Sequence, residues 1–283
     1  FLYFADRVLR LKPLEEPEEE RETSPLEEGE LFHGFLQTLH GRLKGNLPRS
    51  LEEARPEFDR TLAESFARLE SERSVRHPLV WEAEKAGIRR VLEAVVAFDL
   101  ANLDGFVPAR FEQAVVGEVE VGGIRLHAAG FIDRLDLRPD GAFRVIDYKR
   151  SRSKGKYGSR METGVRKGRY YQPPLYFLLA ERLLLGEGRK VDRAGSRSGY
   201  LFLRDLAEGR DGGMWLEGGL GGVEAEFAGH LGRAIESIDK GEFVVRPGDH
   251  CKYCDFRTAC RKQHTPTRMR AERFHDRRAD GGD

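Results

Sequence analysis

A chain of 283 residues, 39% hydrophobic and 34% charged with a mean hydropathy of -0.56, is long enough for one large domain or two small ones and can bury a sizeable core. No run of about 18 apolar residues occurs, the greasiest stretch, Leu175 to Leu185, being broken by Glu181 and Arg182, so a membrane span is excluded. Lys+Arg and Asp+Glu both count 48, which excludes a chain-wide polycation and leaves any polyanionic partner to local clusters.

The chain opens Phe1-Leu2-Tyr3-Phe4 rather than with Met, and Asp6 and Arg7 come too soon for the apolar core of a signal peptide. The start therefore reads as a cut through a longer polypeptide. Leu14 to Glu30 carries nine glutamates against one arginine and reads as a solvated loop. Leu31, Phe32, Phe35, Leu36, Leu39 and Leu43 recur at helical spacing, as do Val80, Ile88, Val91, Leu92, Val95 and Val96. Between them Pro56 is expected to begin a helix, with Phe58, Leu62, Phe66 and Leu69 following at helical intervals. The region up to Pro108 is thus mainly helical.

The period then switches to two. Phe111 to Val121 and Ile124 to Leu137 are joined at Gly122-Gly123, and Ala142 to Tyr148 is entered through Arg138-Pro139-Asp140-Gly141, which predicts a three-stranded antiparallel meander. Lys149 to Arg169 holds nine basic residues against Glu162 alone and is broken by four glycines. This reads as a flexible cationic loop suited to a phosphate backbone, with Lys154, Lys156, Arg166 and Lys167 as its contacts. A helix from Tyr170 to Leu185, a strand from Ser198 to Leu203, a Gly-rich connection and a helix ending near Lys240 follow. Residues 264–283 are polar and Arg-rich and are expected to be a disordered tail. No internal repeat is found.

Chemistry concentrates in Gly130-Phe131-Ile132-Asp133-Arg134-Leu135-Asp136 and, one tight turn later, Val145-Ile146-Asp147-Tyr148-Lys149. In adjacent hairpin strands Asp133 and Asp147 can approach each other, and period-two geometry puts Asp147 and Lys149 on one face. Two carboxylates and an ammonium then converge. Oxygen ligands of this kind suit Mg²⁺, which holds a water and a phosphate oxygen in one coordination sphere, while the lysine orients or helps deprotonate the attacking water.

Asp133 followed by Asp147-Tyr148-Lys149 resembles the signature of the PD-(D/E)XK nucleases, and GFIDRLDL with VIDYK is similar to the RecB-like branch. That branch also has a histidine on an early helix, matched by His33 in Gly29-Glu30-Leu31-Phe32-His33, and a Gln-x3-Tyr helix motif, matched by Gln172 and Tyr176. The resemblance implies an α/β fold with a restriction-endonuclease-like core, a mixed central sheet flanked by helices, and a helical insertion at about 45–107 before the catalytic strands. It further implies Asp133, Asp147 and Lys149 as catalytic residues, His33, Asp133 and Asp147 as ligands of Mg²⁺ or Mn²⁺, and Gln172 and Tyr176 beside the site and the DNA strand. Glu112 resembles a further acidic position of the branch, but an exposed strand glutamate explains it equally well. Each piece alone has such a bland explanation; their order in one chain is what carries the resemblance.

Cys251, Cys254 and Cys260 fall within ten residues, unlike a secreted disulfide framework, which points to a reducing, cytoplasmic compartment. The Cys-x2-Cys-x5-Cys spacing brings three thiolates to one metal and leaves a tetrahedral site unfinished; His250 or His264 could complete it for zinc. The resemblance suggests another answer. Iron-sulfur members of the branch, including AddB-type helicase-nuclease subunits, carry this triplet after the nuclease motifs and hold a [4Fe–4S] cluster with a fourth cysteine far upstream, just before an aromatic segment like Phe1 to Leu9. The nuclease domain is then expected to span 1–263, with its Cys-rich segment at 250–262.

The expected activity is metal-dependent DNA hydrolysis in DNA end processing during recombination repair. The sequence has no Gly-x4-Gly-Lys-Ser/Thr loop, so a helicase motor would lie in the same longer chain or on a partner. Two alternatives stand beside this: a DNA-binding or scaffolding module with a vestigial site, and a CRISPR-associated adaptation nuclease, against which the long helical region between His33 and Asp133 speaks.

Overall fold

The computed structural model describes residues 3–12, 25–44, 47–72, 78–152, 160–248, 251–252 and 254–280. The chain divides into two compact units, 18–229 and a second made of 1–17 with 230–283, whereas the sequence reading carries one domain to residue 263.

The larger unit begins with three helices, α1 (Pro25–Leu43), α2 (Leu51–Glu72) and α3 (Pro78–Ala101). All six apolar residues of the α1 series are buried, together with Ala54, Phe58 and Leu62 of α2 and Ile88, Leu92, Val95 and Val96 of α3. α2 starts before Pro56 rather than at it. Ser50 Oγ accepts the Glu53 N–H at 3.3 Å, as an N-cap does, and the Glu53 carboxylate accepts the Arg49 N–H at 2.8 Å, so the helix starts at Leu51 and Pro56 falls in its second turn, where it forgoes one helical bond.

Strands β1 (Val107–Val121), β2 (Ile124–Leu137) and β3 (Phe143–Lys149) form the expected meander. Gly122 and Gly123, with φ of 52° and 79°, make the two-residue turn that only left-handed backbone closes. After β3 come α4 (Met161–Arg166) and α5 (Gln172–Gly186), and the crossover returns the chain as β4 (Arg197–Phe202), parallel to β3. A short helix, α6 (Leu203–Ala207), leads to β5 (Gly213–Glu217), antiparallel to β4. The result is a mixed five-stranded sheet in the order β1-β2-β3-β4-β5. Part of the expected cationic loop is therefore ordered helix: α4 buries Met161 and Val165, while Lys154 and Lys156 lie outside the described residues.

Alternation along β3 assigns the two faces. Ile146 and Tyr148 join the core of α1, α2 and α3; Phe143 meets Phe177 of α5 at 4.7 Å between ring centroids, and Asp147 and Lys149 share its parity. β3 is buried on both faces down to Tyr148, as a central strand requires.

The smaller unit holds a π-helical turn at Phe4–Val8, whose Tyr3 and Phe4 rings stack on Phe243 at 5.9 and 5.1 Å. It contains all three cysteines and a helix, α8 (Thr265–Asp280), where the sequence reading expects a disordered tail. α7 (Glu224–Asp239) runs from the first unit into the second. No helix among the described residues is long and apolar enough to cross a membrane.

Candidate active site

The β2–β3 ladder pairs Leu137 with Phe143 and continues to Arg134 with Ile146, where it stops. The next two residues would be Asp133 and Asp147. Instead of a strand–strand bond, the Tyr148 backbone N–H donates to Asp133 Oδ2 at 2.7 Å, so the strands fork at the two aspartates. β1 is irregular at the same level: Phe111 pairs with Arg134 and Gln113 with Ile132, while Glu112 between them has φ of 46° and no ladder partner. A non-glycine residue in the left-handed region is a strained conformation of the kind that accumulates at functional sites. Glu112, Asp133 and Asp147 thus stand at one level across three neighbouring strands.

His33 of α1 meets the carboxylates of the first two of these strands, β1 and β2. Its Nδ1 lies 2.9 Å from Glu112 Oε1 and its Nε2 lies 3.6 Å from Asp133 Oδ2, with Tyr148 packed edge-on at 5.6 Å. His33, Glu112 and Asp133 each offer a ligand atom, all within 4.8 Å of one another, the one such group among the described residues. Asp147 stands outside it, and its Oδ2 lies 2.5 Å from Lys149 Nζ. Lys149 in turn donates to Gln172 Oε1 at 3.3 Å and lies over the Tyr200 ring at 4.9 Å. Tyr176, one turn further along α5, packs on β2 where Gly130 leaves room; a Cβ on Gly130 would come within 2.7 Å of the Tyr176 ring. Of the expected residues, the fold brings together His33 with Asp133, and Asp147 with Lys149 and Gln172. Glu112, which the sequence leaves even between a site acid and an exposed strand glutamate, stands as the third potential ligand.

Electrostatics separates this level of the sheet from the next. Burial, and then the like charge of Asp147, pushes the Asp133 carboxyl up to about 7; burial also raises Asp147, against the pull of Lys149. Carboxylates so arranged lack positive charge, and an imidazole with two carboxylates is a donor set that fits Mg²⁺ or Mn²⁺. One residue along β2, on the opposite face, Arg134 is fully buried and donates from Nε and Nη2 to Asp136 at 2.6 and 3.0 Å, and from Nη1 to Asp99 at 2.5 Å and Tyr148 Oη at 3.2 Å. Arg144 adds bonds to Asp136 at 2.9 and 2.7 Å, and His40 lies 3.2 Å from Asp99. The sequence reading quotes Arg134 and Asp136 within a motif without a role; their burial is invisible in a strand whose neighbours are also charged.

Elsewhere the expected contacts are less gathered. Arg166 is engaged by the Glu226 carboxylate and the Gly222 carbonyl, and Lys167 ends α4. Cys251, Cys254 and Cys260 are unpaired and half-buried, and their thiols do not form a metal-sized group among the described residues. His264 Nδ1 lies 2.9 Å from Thr267 Oγ1; His250 lies outside the described residues.

The family model of the PD-(D/E)XK nuclease superfamily matches residues 1–261. No curated protein matches the sequence. Among solved structures, one titled "Crystal structure of SSO0001" is similar at 17% identity and a TM-score of 0.35, covering 81% of this chain and 84% of that one, a likeness too slight to bear on fold or activity.

Proposed function

Because the chain belongs to the PD-(D/E)XK nuclease superfamily, we propose that it is a metal-dependent deoxyribonuclease whose reaction takes place at the fork between β2 and β3. The observation that carries this reading is the adjacency of two sets: the His33, Glu112 and Asp133 donors, and the Asp147–Lys149–Gln172 chain. Mg²⁺ or Mn²⁺ held by the first set, with Asp147 joining when it turns from Lys149, would neutralise a phosphate oxygen and acidify a bound water. Asp133 contributes a carboxyl that burial leaves poised near neutrality, so a cation displaces its proton easily. Lys149 is paired with Asp147 and held by Gln172, which suits it to orient the attacking water or steady a phosphate oxygen. Tyr176, seated on Gly130, keeps α5 and Gln172 in register with β2.

The test is cleavage of labelled single-stranded DNA in Mg²⁺ and binding in Ca²⁺. Asp133→Asn, Asp147→Asn and Lys149→Ala should abolish cleavage and retain binding. Near wild-type cleavage by the Asp133 or Lys149 variant would overturn the site.

The finer reading is an exonuclease acting at DNA ends in recombination repair, alongside a helicase motor, with Lys154, Lys156, Arg166 and Lys167 on the DNA backbone; the motif resemblance supports it, and Arg166 would have to leave Glu226. We also read Cys251, Cys254 and Cys260 as three ligands of a [4Fe–4S] cluster with a fourth thiolate from the N-terminal side. In its favour, residues 1–17 and the cysteine segment belong to one compact unit, so a ligand from the N-terminal side need not span the nuclease core. Iron and sulfide analysis of anaerobically purified protein extended ahead of Phe1 checks this, and stoichiometric zinc in their place would sink it.

A further inference from the structure

A cavity of about 480 Å³ opens beside the metal donors, with His33 and Glu112 in its wall and Gly29, Gly34 and Gln37 of α1 and Arg68 of α2 among its other lining residues. Arg68 is exposed, and among the described residues no carboxylate bonds its guanidinium, although Arg42, Arg55 and Arg89 on the same helical layer are each paired with an acid. Its seat is built by a glycine. A Cβ on Gly34, the residue after His33, would stand 3.0 Å from Arg68 Nη2, and no atom other than that guanidinium's lies within 4 Å of it. The missing side chain therefore lets the cation lie over the helix backbone next to a metal donor.

We propose that this cavity is a subsite for one phosphodiester of the nucleic-acid strand, adjacent to the scissile one, and that Arg68 is the residue that binds it. The inference rests on the nuclease reading for the identity of the ligand. A planar guanidinium with five donors, bonded by no carboxylate among the described residues, matches a phosphate's paired oxygens. Glycines at 29 and 34 leave α1 bare enough for sugar and backbone to approach, and the Gln37 amide can donate or accept beside them. Glu30 also lines the cavity; its carboxylate limits how far negative charge can run along α1, which makes this a site for one phosphate rather than a track.

The experiment measures binding of a fluorescent single-stranded oligodeoxynucleotide in Ca²⁺ as a function of salt, and its cleavage in Mg²⁺, for the wild type, Arg68→Ala, Arg68→Lys and Gly34→Ala. Arg68→Ala should weaken binding about tenfold, as loss of a charged hydrogen bond does, and reduce the salt slope by about 0.7, the share of one phosphate contact on a single strand. Arg68→Lys should recover part of the affinity, keeping the charge and losing the fork. Gly34→Ala should raise the melting temperature, since alanine is favoured over glycine in a helix interior, and yet weaken binding, less than Arg68→Ala does, because its Cβ would stand 3.0 Å from Arg68 Nη2 and shift the guanidinium slightly; a merely structural role for either residue does not give these opposite signs. Wild-type affinity and salt slope in both Arg68→Ala and Gly34→Ala overturn the subsite. A wild type that binds through Arg68 but does not cleave overturns the nuclease reading and supports the subsite, and one that neither binds nor cleaves overturns both.

Discussion

Asp133 and Arg134 are neighbours in sequence and lie on opposite faces of one strand, and the two faces treat charge in opposite ways. On the α5 side of the fork, Asp133 and Asp147 crowd each other, with Lys149 paired to Asp147, and burial drives Asp133 up to about 7. On the helical side, burial pushes Asp99 up too, but Arg134, His40 and Arg144 together outweigh it and the carboxyl falls to about 2. Both faces remove carboxylates from water. One matches them with arginines inside the fold; the other leaves a deficit of positive charge at an accessible edge, which is the electrostatic condition for taking up a cation. A buried charge pair is thus structural or functional according to whether its partner is built in.

The largest effect that can break this contrast is at the fork. Asp133→Asn should lower Mg²⁺-dependent cleavage by about a thousandfold or more, several kcal/mol of lost charge stabilisation, while raising the melting temperature of metal-free protein because a repelled buried carboxylate is gone. Cleavage assays and calorimetry on one sample decide it; a variant that is both active and less stable would place Asp133 with the structural charges. On the other face the signs reverse. Arg134→Met should cost about 3–5 kcal/mol in urea unfolding by stranding Asp99, and adding Asp99→Asn should restore part of that loss. A cost below about 1 kcal/mol would mean the buried network is not holding the helices to the sheet.

The pH dependence separates the faces without mutation. Asp133 has a folded pKa of about 7 against an ordinary 3.8, so the native state holds the extra proton; its contribution is fully present below pH 3.8 and is lost as pH rises through 7. Asp99 is depressed from 3.8 to about 2, so its contribution is present above 3.8 and is lost as pH falls through 2. Metal-free protein in EDTA should therefore lose stability between about pH 4 and pH 7, Mg²⁺ should restore most of it at pH 8, and Asp133→Asn should flatten the curve; an unchanged curve in that variant would assign the effect elsewhere. A smaller effect sharpens the α5 side. Gly130→Ala sets a Cβ within 2.7 Å of the Tyr176 ring, and such overpacking should cost about 1–3 kcal/mol and lower the cleavage rate by shifting Gln172; a neutral result would detach Tyr176 from the site.

The elements that read well from sequence are those with a strong local period. The α1 apolar series is buried throughout, the β2 boundaries agree to the residue, and Gly122-Gly123 makes the turn between β1 and β2. Elements whose existence depends on a neighbour were missed. β5 has five residues in a Gly-rich stretch and pairs on β4, α6 is one turn anchored by Leu203 and Leu206 in the core, and α8, with mostly polar residues, has no apolar stripe wide enough to announce it. Local propensity is weak where tertiary pairing supplies most of the free energy.

The same division runs through the site. Asp133, Asp147 and Lys149 were legible because period-two spacing fixes the face of a strand from sequence alone, and the order of the motifs with Gln172 and Tyr176 is a property of the chain. Glu112 was not to be told from an exposed strand glutamate, since its left-handed backbone and its approach to His33 arise only when α1 packs against β1. Nor were the roles of Arg134, Asp136 and Arg68 legible: an arginine looks the same in sequence whether it is sealed between two aspartates or lies exposed beside a glycine. The sequence by itself determined which faces and which chemistry were available; the tertiary structure decided which charges were satisfied, because desolvation and Coulomb energy depend on distances between residues far apart in the chain.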